Sequence, residues 1–376
     1  MDVEHDNDVR RDGGARETLS RAPVALSSDA GPHLGAAFDV RPRTVKASRV
    51  AVPPRAQTGD ADAPHPRRDL RGRHPGDTLF FGLTILFALL VIVVAVVMVV
   101  TLVVQSWPAL TRFGLSFLTS QQWSVGTDHY GALVFIFGTL YTSFLALLLA
   151  VPLSLGVAIF LSELASPRLR GPVSTLVELL AAVPSVVYGL WGIFVLTALV
   201  RSPLEIWLGA HVGGIPLFGG PAYGSGILAA ALILTVMIVP TIAAISRDVL
   251  RAVPREQREG LLALGATRWE TITRVVVPYA RAGIVGAIIL GLGRAVGETM
   301  AVTMVIGNGR SIGPSLFAIT DTLASVIANQ FTEATGTLYP AALLELGLIL
   351  FVLAIVLNVL ARLLVWTVAR EPGRSR

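Results

Sequence analysis

The segment Gly291-Leu292-Gly293-Arg294-Ala295-Val296-Gly297-Glu298-Thr299-Met300 carries one cation and one anion, four residues apart, inside an otherwise apolar run. On a helix that spacing sets both on one face. An arginine at bilayer depth costs about 2.5–3.5 kcal/mol on insertion scales, so it needs a partner or a wet cavity. Two readings follow. In one, the ions neutralise each other and merely allow the helix to insert. In the other, Arg294 offers its planar fork of donors to an anion crossing the bundle, phosphate being a shape that suits it, while Glu298 orients the guanidinium and keeps the empty site near neutral. Glu178 and Glu345 are lone acids in other apolar stretches. Each reads as a partner for a bundle-interior donor, as an interfacial residue or as a ligand contact, the last opposed by its repulsion of an anion.

A second chemically rich stretch runs from Arg247 to Pro278. Pro254 at a helix start, the apolar stripe of Leu261, Leu262 and Leu264, and Gly265 as the residue after the last turn describe a short amphipathic helix. A second short helix from about Thr267 carries Trp269 and Ile272. The pair fits either a membrane-surface element or a docking element for a separate protein.

The elements that must position these residues are membrane spans. Of 376 residues 53% are apolar and 15% charged, with a mean hydropathy of +0.68, well short of the roughly 25% charged residues of a soluble domain. The absence of cysteine excludes disulfides, thiolate metal centres and cysteine catalysis. The one lysine, Lys46, follows Val45 rather than a glycine-rich loop, so no P-loop is present, and neither HExxH nor GxSxG occurs. No enzyme, metal or cofactor is expected.

Residues 1–76 mix acids, bases and prolines without an apolar run and read as a disordered cytoplasmic tail. Its interleaved acids argue against a nucleic-acid-binding arm, and no signal-peptide core is found near its start. Six helical spans are expected over about 79–104, 132–161, 173–200, 224–246, 282–306 and 338–361, with Pro152 and Pro184 as kinks. The connections 162–172, 247–281 and 362–376 hold 13 arginines against three, Arg112, Arg201 and Arg310, in the others. That asymmetry puts both termini in the cytoplasm. Trp107, Trp123 and Trp207 fall in the outer connections, as interfacial aromatics would.

The spacing Glu259-Gly260-Leu261, three residues, Gly265, nine residues, Val275-Val276-Val277-Pro278 resembles the EAA loop of ABC importer permeases, in which E-A-A, three residues, G, nine residues and I-x-L-P recur. The chain is accordingly expected to be all-α, with the type I importer permease fold. The resemblance implies that Glu259, Gly260, Leu261, Leu264, Gly265, Ala266 and Pro278 belong to a docking surface for an ATPase subunit dimer, which supplies the nucleotide hydrolysis this chain lacks. More narrowly, residues 181–192 and 291–302 resemble signature segments of permease subunits of high-affinity phosphate importers, over roughly residues 75 to 370. This likeness implies that Arg294, Glu298, Thr299, Ser185 and Tyr188 line the substrate pathway. It also implies a PstA-like second permease subunit, an extracytoplasmic phosphate-binding protein, inorganic phosphate as substrate and a bacterial plasma membrane as the site of action. A secondary anion transporter is the rival class, but it predicts two related halves, and no internal repeat is evident. A membrane scaffold without transport is a third.

Overall fold

The computed structural model of the protein describes residues 75–369, all within one unit, Arg73–Arg376. The tail expected over 1–76 lies, but for its last two residues, outside the described residues. Ten helices matter for the site: α1 Pro75–Phe113, α2 Leu133–Leu164, α3 Pro167–Ala182, α4 Ser185–Val212, α5 Ile227–Arg251, α6 Arg255–Ala263, α7 Arg268–Val296, α8 Met300–Val305, α9 Leu323–Gln330 and α10 Leu338–Ala369. Among the described residues six helices (α1, α2, α4, α5, α7, α10) are long and apolar enough to cross a membrane, as expected of a multi-pass permease.

The centre of the bundle is α5 packed on α2 and α7, with Ile233, Leu234, Met237, Ile238 and Ile242 fully enclosed. In lipid no hydrophobic force draws apolar helices together, so close approach rests on small residues and interhelical hydrogen bonds. Ala146 and Ala150 of α2 are fully buried. Beside them Thr235 Oγ1 donates to the Ala146 carbonyl (3.3 Å) and Ser154 Oγ donates to that of Val239 (3.2 Å). By contrast α1 exposes Leu, Val, Ile and Phe along nearly its whole length and is held by α10.

Two of the expected spans are drawn differently. The helix expected over 173–200 is interrupted at Val183 and Pro184, whose ψ angles of 130° and 141° are extended. A proline pushes its predecessor out of the helical region, so Pro184 divides the element into α3 and α4 rather than kinking it. The membrane-length helix is then Ser185–Val212. The fifth span, expected over 282–306, instead runs from Arg268 to Val296, and Met300–Val305 forms a separate short helix. Its start is set by Thr267, whose Oγ1 accepts from the Glu270 amide while Glu270 Oε2 accepts from the Thr267 amide. The loop expected over 247–278 therefore ends as helix. Pro278 is accommodated just after a wide turn, Ile272–Val276, that relaxes the ladder ahead of it.

Trp123 is no interfacial aromatic. It is buried with Phe117, Tyr130, Phe135 and Tyr339 in a second core cluster. Its indole meets Tyr130 and Phe135 edge to face at 5.0 and 5.1 Å, and its Nε1 donates to Gln330 Oε1 at 2.9 Å. Trp107 and Trp207 are exposed.

Candidate functional site

Arg294 occupies the last turn of α7, where a cation complements the helix dipole. Its side chain is half-buried among the spans, and Nη1 donates to Thr241 Oγ1 of α5 at 3.1 Å. The close passage of α5 and α7 that allows this contact depends on Gly291, where a Cβ would fall 2.6 Å from Ile242 Cδ1.

Arg294 and Glu298 do not form the pair that their spacing implies. The helix ends at Val296, Gly297 caps it, and Thr299 sits at φ −109°, ψ −64°, so no common helical face joins them. The Glu298 carboxylate turns to the next helix instead, where Oε1 accepts from the Ala301 amide at 3.2 Å and satisfies one of the orphan donors of the first turn of α8. Among the described residues no carboxylate forms an ion pair with Arg294. One of its five N–H groups is engaged by a neutral hydroxyl, so the guanidinium is not neutralised by a carboxylate as a paired ion would be.

The interruption before α4 lies against the one before α8. Gly189 is the contact: a Cβ there would fall 2.5 Å from Met304 Sδ and 3.1 Å from Ala301 Cα. Tyr188 is buried in the same cluster as Ala295, the neighbour of Arg294, and Ala301. Its hydroxyl donates to the Leu180 carbonyl at 2.7 Å, taking one of the acceptors that the end of α3 leaves open. Ser185 stands half-buried in the first turn of α4, and Thr299 Oγ1 donates locally to the Gly297 carbonyl at 3.3 Å. The structure thus brings Tyr188 into one cluster with Ala295 and Ala301 and the two broken elements together, while Glu298 and Thr299 organise the break itself.

The loop helix α6 forms as its sequence requires. Pro254 precedes it, Gly265 at φ +88° follows it, and the Gly265 and Ala266 amides donate to the carbonyls of Leu262 (3.0 Å) and Leu261 (3.3 Å). This is a Schellman stop, open to glycine at no steric cost. Glu259 and Gly260 are exposed, Leu261 and Ala266 half-buried, and Leu264 is 84% exposed beside an exposed Leu262 and Trp269. Pro278 is exposed farther along α7.

Two partners, Thr241 and Glu163, escaped the sequence, while Glu178 takes one of the roles expected of it. Thr241 carries no signal beyond being a hydroxyl in an apolar span. Glu178 is met by Arg247 Nη2 at 3.0 Å, with Asp248 on the same guanidinium at 2.8 Å, so it serves as a partner for a donor. Glu163 lies 3.1 Å from Arg258 of α6.

The chain matches the family described as binding-protein-dependent transport system inner membrane component over residues 150–369. The phosphate transport system permease protein PstC of Mesorhizobium japonicum is 46% identical over 301 residues, which are 79% of this chain and 92% of that protein. The protein of the same name from Pasteurella multocida is 46% identical over 306 residues, 80% and 95% of the two chains. A solved structure of a bacterial alginate ABC transporter, in complex with an alginate pentasaccharide-bound periplasmic protein, shares the fold at a TM-score of 0.51 and 19% identity, over 76% of this chain and 94% of that one. A family match over more than half the chain and close likeness over nearly the full length of these relatives agree with the broken-helix bundle described above, and the chain belongs to the binding-protein-dependent permease family, in its PstC branch.

Proposed function

We propose that this chain is one of two permease subunits of an ATP-driven inorganic phosphate importer in a bacterial plasma membrane. The observation that carries the reading is Arg294: a guanidinium inside the bundle, steadied by Thr241 and, among the described residues, in no ion pair with a carboxylate. A planar fork of donors matches a tetrahedral oxyanion, and at bilayer depth it is a costly group to keep without a task. The naming of relatives as phosphate permeases supports the choice of anion.

In this reading a PstA-like subunit completes the pathway, an extracytoplasmic binding protein delivers phosphate, and two ATPase subunits dock at α6. The exposed Leu264 and Trp269, flanking a rigid Gly265 stop, support a surface made to be covered. ATPase closure moves α6, and with it the bundle, between outward- and inward-open states. Tyr188 and Ser185 line the way past Arg294, while Glu298, withdrawn to cap α8, keeps its negative charge off the anion. Binding at Arg294 has to stay weak enough for release inward. Both termini lie in the cytoplasm, on the arginine-rich side.

Phosphate uptake into proteoliposomes, with and without the ATPase subunits and ATP, tests this. Uptake that needs both supports the reading. Uptake driven by an ion gradient without the ATPase points to a secondary transporter, and no uptake under any condition to a scaffold.

A further inference from the structure

Glu345 lies two turns into α10, is 3% exposed, and its Oε2 is buried without a hydrogen-bond partner. None of the ion pairs among the described residues uses it, and it is no part of the Arg294 site. It forms one wall of a cavity of about 470 Å³ whose other lining, including Leu110, Leu115, Ile136, Leu348 and Val352, is aliphatic but for Gly114. That volume falls in the range of roughly 300–1,000 Å³ that holds a small ligand.

The cavity is elongated. Its wall on α10 extends from Glu345 to Val356, about 16 Å at 1.5 Å per residue. The carboxylate stands at the end nearer the start of the helix, and the aliphatic side chains continue inward. At that rim α1 gives way to Gly114, at φ +52°, and Leu115 is 83% exposed, with an exposed Trp107 two turns earlier on α1, the mixture of apolar and aromatic side chains found where headgroups meet acyl chains. A buried carboxylate in a membrane protein calls for a donor, and among the described residues its Oε2 has none.

We propose that the cavity is a phospholipid site: an acyl chain occupies the aliphatic slot, and a headgroup with a primary ammonium donates to Glu345. The chemistry selects an ethanolamine headgroup. A choline headgroup carries the same charge but no N–H, and a glycerol headgroup leaves the lipid a net anion beside a carboxylate.

The test uses the full-length protein purified in detergent, with thermal stability and native mass spectrometry read after adding phosphatidylethanolamine, phosphatidylcholine or phosphatidylglycerol of identical acyl chains. The ethanolamine lipid should stabilise and co-purify most. Glu345→Gln should lose the preference for ethanolamine over choline yet keep acyl-chain stabilisation, whereas Val352→Trp, which fills the slot, should lose stabilisation by all three. Equal effects of ethanolamine and choline lipids on the unmodified protein overturn the proposal. So does an ethanolamine preference that survives Glu345→Gln, or a polypeptide rather than a lipid captured by a photoreactive residue at position 352.

Discussion

The guanidinium of Arg258, on α6, reaches Glu163 at the end of α2 at 3.1 Å, and its Nη2 also donates to the Leu250 carbonyl of α5 at 2.6 Å. One side chain therefore ties the proposed docking helix to two spans of the central bundle. Both charged groups are largely shielded, with side chains 23% and 13% exposed, while Glu163 Oε1 lacks an aligned hydrogen bond. The contact works through charge more than through directional bonding.

Charge reversal is the matching probe. Arg258→Glu alone should sever the link and leave like charges facing each other, lowering phosphate transported per ATP hydrolysed several-fold while α6 still binds the ATPase. Combining it with Glu163→Arg should recover part of the loss. A double variant no better than either single one excludes a direct link between these two residues.

At Arg294, replacement by Gln removes the cation but keeps some hydrogen-bonding capacity. Phosphate uptake should fall to background with subunit assembly unchanged, as judged by co-purification. Thr241→Val removes only the anchoring hydroxyl, the acceptor of a charge-assisted hydrogen bond worth about 1.5–3 kcal/mol. It should weaken uptake by roughly ten- to a hundredfold. Uptake at the unmodified rate by the Gln variant returns Arg294 to a packing role.

Gly265 holds a left-handed conformation, φ +88°, with open space around it. Any penalty on substitution is thus one of backbone strain rather than of clash, about 1–2 kcal/mol for an L-residue such as Val. Gly265→Val should loosen the stop of α6 and reduce ATPase co-purification, and Gly265→Asn, which tolerates this region better, should do so less. Equal retention of the ATPase by all three forms counts against α6 as the docking element.

Asp321, in the connection before α9, is 2% exposed and accepts from Ser325 Oγ at 3.1 Å. Burial raises its pKa from 3.8 to about 7. The folded state then holds a proton that the unfolded chain releases above 3.8, so stability is greatest at low pH, falls as pH rises from about 4 toward 7, and levels off beyond. Asp321→Asn should flatten this part of the stability profile, measured as Tm against pH in detergent. A slope that persists unchanged in the Asn variant assigns it to other groups.

Much of the protein was legible in one dimension because the signals are local. Apolar runs long enough to cross a bilayer, the proline and glycine that begin and end α6, and the one arginine within the apolar run 282–306 each follow from neighbours in sequence. Pro184 was visible too, though its effect, a full break rather than a kink, depends on what the freed ends of α3 and α4 can bond to. Tyr188 answers that by donating to Leu180.

What the chain's order alone determined is that an arginine must sit inside a membrane bundle. Only the tertiary structure decided what that arginine is bound to. A four-residue spacing makes a pair only while the helix continues, and here the carboxylate of Glu298 gains more by capping the amide of Ala301 across the break. Arg294 finds its hydroxyl anchor 53 residues away, on α5, through a close approach that Gly291 permits. Long-range partners such as Thr241, Glu163 and Gln330 are set by packing of whole helices, and no local pattern in the sequence records them.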